Sequence, residues 1–146
     1  MAEELKYLLE SIDALIRSAE KDAVALKKLS MDESLFEDYE KQRIVNSFLF
    51  NYTKIQDKMG SRLFRSLLME LREPVDESMS MRDILDRLEK LRFLENTQDW
   101  DRLREIRNAI AHEYLLDLRE RLENITLALE AFERLQSIYA RIVSAL

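Results

Sequence analysis

Apolar residues recur every three to four positions along almost the whole chain, with charged residues between them. Leu5, Leu8, Ile12, Leu15, Ala19, Leu26 and Leu29 form one stripe and predict a long first helix. Ser30-Met31-Asp32-Glu33-Ser34 breaks it and offers several caps for a second. That second helix carries Ile44, Val45, Phe48, Leu49, Tyr52, Ile55 and Met59. Gly60 is expected to kink or interrupt it before Leu63, Phe64, Leu67, Leu68 and Leu71 resume the pattern. Pro74 ends it, because proline lacks an N–H and its ring obstructs a continuing helix.

Ser78-Met79-Ser80 predicts a cap for a short helix bearing Ile84, Leu85, Leu88, Leu91 and Leu94. Asn96-Thr97-Gln98-Asp99 starts another, with Trp100, Leu103, Ile106 and Ile110 on one side. The last helix keeps its period from Leu118 through Ile125, Phe132 and Tyr139 to Leu146. The expectation is all-α: a single up-and-down bundle of about five helices spanning residues 1–146 as one domain. The second helix is apolar on more than one side around Phe48 to Tyr52. It is therefore expected at the centre of the bundle, or else in a dimer interface.

Composition narrows the function. Glycine and proline occur once each, which disfavours a turn-rich fold. Cysteine is absent, which removes disulfides, thiolate metal sites and cysteine nucleophiles and fits a cytoplasmic protein. The acidic start Met1-Ala2-Glu3-Glu4 lacks the basic and apolar regions of a signal peptide, and no apolar run is long enough to span a membrane. The net charge is -6, so an RNA contact requires a local basic patch. With one histidine and no cysteine, a zinc site is improbable. One glycine allows no phosphate-binding loop, and the only Gly-Ser, Gly60-Ser61, lies within helical periodicity and not in the turn a nucleotidyltransferase uses. No cofactor is expected. Glu73, Asp76 and Glu77 flank Pro74 and read as a solvated acidic loop.

The sole histidine lies in Arg107-Asn108-Ala109-Ile110-Ala111-His112-Glu113-Tyr114. On a continuous helix Arg104, Asn108 and His112 share a face, whereas Arg107 lies about 140° around from His112. Arg107 and His112 could meet where the helix unwinds, or across a two-fold axis between two copies. Histidine titrates near neutrality and can exchange a proton. Arginine offers a planar fork of donors to phosphate oxygens. Asparagine can orient the imidazole or hold a ribose hydroxyl. Together they suit phosphodiester cleavage, and in RNA the 2'-hydroxyl supplies the nucleophile without a metal. One histidine per chain serves poorly as both acid and base; a dimer supplies two. The neighbouring Arg102, Arg104, Arg119 and Arg121, interleaved with acids, read mainly as a salt-bridged surface.

Arg107-Asn108-(x3)-His112 resembles the Arg-(x4–6)-His motif of the HEPN superfamily. Its extension to Tyr114 resembles the HepT-type toxins encoded beside minimal nucleotidyltransferase (MNT) antitoxins. The resemblance implies a two-fold HEPN dimer that acts as a metal-independent RNase toxin of a type VII-like HEPN/MNT pair. Carried over, Arg107 binds or stabilises the phosphate and His112 is the acid and base, in a cleft between protomers. Asn108 supports the site, and Arg104 is a further candidate for substrate binding. Tyr114 is the implied acceptor for AMP added by the nucleotidyltransferase partner, which would exclude RNA by bulk and charge. On a continuous helix Tyr114 would point about 200° from His112, so a shared site needs the chain to leave helical geometry near Glu113. The alternative is a non-catalytic subunit that binds a nucleotide or docks a nucleotidyltransferase.

Overall fold

The computed structural model describes residues 1–112 and 117–146, and no strand occurs among them. The helices are α1 (Glu3–Lys27), a single turn α2 (Ser34–Glu37), α3 (Tyr39–Lys58), α4 (Phe64–Glu70), α5 (Met81–Lys90), α6 (Thr97–Ala111) and α7 (Leu118–Ala145). A π-helical turn, Met59–Leu63, joins α3 to α4 without a break.

Local chemistry sets these boundaries. Side chains of Asp38, Asn96 and Asp117 each accept from a backbone N–H in the first turn of α3, α6 and α7. Ser80 and Asp83 cap α5 reciprocally. The Ser30–Ser34 segment leads into the short α2, and the cap of the long helix falls later, on Asp38. Helices α4 and α5 each close with a left-handed residue, Arg72 (φ 60°) and Arg92 (φ 66°). The following N–H groups, of Glu73 and Phe93, reach back to the carbonyls of Leu68 and Leu88, which are otherwise orphaned helix-end acceptors.

Helix α3 is central and packs against α1, α2, α6 and α7, as the width of its apolar face predicts. Cross-contacts show the bundle's alternation. Asp13, Glu20 and Lys27 of α1 meet Tyr139, Gln136 and Glu133 of α7 in descending order, so α1 and α7 are antiparallel. Asp99 and Glu95 pair with Arg134 and Arg141, which makes α6 and α7 antiparallel as well. The core includes Phe48 edge-on to Phe132 (5.6 Å between centroids) and Phe64 edge-on to Trp100 (4.6 Å).

The Gly60 interruption is the π turn. The N–H of Phe64 bonds the carbonyl of Met59, five residues back, so one extra residue is wound into the helix. Gly60 faces Trp100: a Cβ at position 60 would lie 3.1 Å from the indole Cζ2. The missing side chain lets α6 approach α3 here, and this approach fixes the height of α6 beside Asp57.

Candidate functional site

Helix α6 carries the motif. Its inner face is anchored by Trp100 and Leu103, both buried, and by half-buried Ile106 and Ile110. The Tyr52 hydroxyl donates to the Leu103 carbonyl (2.9 Å), a second tie between α3 and α6. Burial pushes the Tyr52 hydroxyl pKa well above its ordinary value.

Arg107 turns toward α3. Its Nε donates to one oxygen of Asp57 and its Nη2 to the other, both at 2.9 Å. This side-on fork occupies one edge of the guanidinium. It leaves Nη1 and the second proton of Nη2 to make a further bidentate contact. The hydrogen bonds that Arg107 donates to Asp57 hold its pKa above the ordinary value; burial opposes them and the carboxylate's charge adds to them. Arg107 is therefore a fixed, permanently charged donor.

His112 ends the helix. It is exposed, with φ -108° and ψ 20°, and its N–H bonds the Ala109 carbonyl (3.2 Å). The α-helix thus stops at Ala111, one residue before the histidine. Asn108 is exposed, and its side chain makes no hydrogen bond among the described residues. Arg104 is exposed and approaches Asp101 (3.6 Å), whose carboxylate also takes both contacts from an Arg82 nitrogen (2.9 and 3.0 Å). Arg104, Asn108 and His112 form the solvent face of α6, and Arg107 its α3-facing edge. Tyr114 lies outside the described residues.

Asp57 is the residue that sequence reasoning missed. It lies fifty positions before its partner in chain order, and no local pattern links them. The only hint is a charged residue just ahead of the glycine that interrupts an apolar helix. Much of the surrounding charge is structural. Glu73 pairs with Arg87 (3.0 Å), and Asp76 accepts from the Ser78 N–H and hydroxyl, which lowers its pKa. Among the described residues no group of three His, Cys, Asp or Glu side chains could hold a metal, and no helix is long and apolar enough to cross a membrane. No family model matches the chain, and no curated protein or solved structure matches it.

Proposed function

We propose that this chain is a metal-independent ribonuclease, the toxin of a HEPN/MNT pair, with Arg107 and His112 at its active site. The observation that carries the reading is the side-on grip of Asp57 on Arg107, one and a half helical turns before the sole histidine. A guanidinium held by one edge and free on the other is preorganised for phosphate oxygens. An exposed imidazole at a helix end is free to exchange protons with a 2'-hydroxyl or a leaving 5'-oxygen.

In this mechanism His112 removes the 2'-hydroxyl proton while that oxygen attacks the adjacent phosphorus. The 5'-oxygen leaves with a proton from the second imidazole of a dimer, and a 2',3'-cyclic phosphate remains. Arg107 stabilises the charge gathered on the non-bridging oxygens, with Asn108 supporting the imidazole or a ribose. Addition of AMP to Tyr114 by a minimal nucleotidyltransferase would silence the site.

The test is growth after induction of the chain alone, beside His112→Ala and Tyr114→Phe at matched soluble expression. Wild type and Tyr114→Phe should arrest growth and His112→Ala should not. Purified protein should cleave RNA in EDTA and leave cyclic phosphate ends. A strict Mg²⁺ requirement would refute the mechanism. A folded but harmless wild type without RNase activity would favour the nucleotide- or partner-binding subunit.

A further inference from the structure

A shallow groove runs between α1 and the continuous helix α3–α4, on the side of α3 away from α6. Two depressions, of about 710 and 680 Å³, make it up and share Tyr7, Ser11 and Lys58 in their walls. Its α3 rim presents Lys54, Lys58 and Arg62, one basic residue every four positions. None of the three is in an ion pair among the described residues, whereas Arg82, Arg87, Arg107, Arg134 and Arg141 all are. Two aromatic rings stand in the same walls and are largely solvent-exposed, Tyr7 at 76% and Phe50 at 59%. The Lys54 ammonium lies 5.5 Å from the Phe50 centroid, so charge and ring surface sit side by side.

The two exposed rings lie in one depression and are not scattered over the surface. Unpaired cations along a rim, with aromatic faces between them, are what a single strand of nucleic acid uses: phosphates on the cations, bases on the rings. We infer that the α1/α3 groove holds single-stranded RNA, and that it is the local basic patch an acidic ribonuclease requires. This rests on the ribonuclease reading. Glu3, Glu4 and Glu10 line the opposite rim. They repel phosphates from α1 and accept hydrogen bonds from base amino groups or ribose hydroxyls, so the strand lies with its backbone on α3.

The experiment is fluorescence anisotropy with a labelled twelve-nucleotide, uridine-rich RNA. The full chain carries His112→Ala so that the probe survives. Lys54→Glu, Lys58→Glu and Arg62→Glu combined should weaken binding at least tenfold. The slope of log affinity against log salt should fall by about two, at roughly 0.7 per phosphate contact on a single strand. Tyr7→Ala and Phe50→Ala should each cost roughly five- to a hundredfold, the range for one lost base stack. Lys21→Glu, Lys28→Glu and Lys90→Glu combined change the net charge equally and should cost much less. Equal losses in the two triple variants would overturn the groove, leaving only a general charge effect. So would unchanged RNA binding with a change in mass by light scattering, which would make the groove a subunit interface. Wild-type RNA cleavage that the groove variants leave intact would remove this inference and spare the ribonuclease reading; no binding and no cleavage would remove both.

Discussion

Asp57 grips one edge of Arg107, so substitutions on the two sides of that pair should fail differently. Arg107→Lys keeps a charge and loses the planar fork, so it can satisfy Asp57 or a phosphate but not both in fixed geometry. Cleavage should fall at least a hundredfold, measured as cyclic-phosphate release at saturating RNA. Asp57→Asn keeps the shape but retains only one acceptor oxygen toward the guanidinium. Arg107 stays present but less well held, so kcat should fall about tenfold with KM nearly constant. A role in folding alone would instead lower the denaturation midpoint and leave kcat per folded molecule unchanged. The half-exposed pair should contribute no more than about 1 kcal/mol to stability. Elsewhere, Arg72 and Arg92 hold left-handed backbone that glycine adopts without steric cost. Arg72→Gly and Arg92→Gly should each stabilise the chain by roughly 0.5–1 kcal/mol in urea unfolding, because the gain at the cap exceeds the added freedom of the unfolded chain.

The contact between the π turn and α6 makes a prediction at the scale of elements. In an ordinary exposed helix Gly60→Ala would gain about 1 kcal/mol of helix propensity. Here the new methyl meets a fully buried indole at 3.1 Å, and that indole is packed edge-on against Phe64. Overpacking of about 1–3 kcal/mol should win, so Gly60→Ala should lower the urea midpoint. Tyr52 tests the second tie between these helices. Burial raises its pKa above the value of about 10 in an unfolded chain. Its contribution is therefore whole below pH 10 and is lost as pH climbs beyond it. Tyr139 behaves likewise, raised by burial and then by its hydrogen bond to Asp13. Tyr52→Phe should weaken the fall of the urea midpoint between pH 9 and 11, while costing about 0.5–1.5 kcal/mol at pH 7 through the lost hydrogen bond to the Leu103 carbonyl. These elements were legible to different degrees. Periodicity and caps located the long helices, because Ser80 and Asn96 act through the residues next to them. The single turn α2 and the π geometry were not legible. The former is too short to show a period, and for the latter Gly60 marks an interruption without specifying its geometry.

At the scale of the whole molecule, the motif was legible because its residues are contiguous, whereas Asp57 and the α1/α3 groove depend on which helices the fold brings together. The proposed mechanism requires Arg107 and His112 to share one phosphate. Arg107 is held against α3, while His112 caps the end of α6 about 140° further round the helix axis. A single imidazole must also serve a reaction that removes one proton and supplies another. Both difficulties disappear if each site takes its arginine from one protomer and a histidine from the other across a two-fold axis. Variants lacking different halves of the site should then complement. Arg107→Ala and His112→Ala proteins, each inactive alone, would be unfolded together and refolded at equal concentration. Random pairing makes half of the dimers mixed, and each mixed dimer keeps one site with its arginine and one of the two imidazoles, so activity should return to at most about a quarter of the wild-type value. Recovery, lost on dilution below the dimer dissociation constant, would place the two residues on opposite protomers. No recovery from mixed dimers verified by mass, where mixed dimers of wild type with His112→Ala stay active on their single imidazole, would mean that arginine and histidine act within one chain. The chain after Ala111 would then have to turn the imidazole back toward Asp57 and α3.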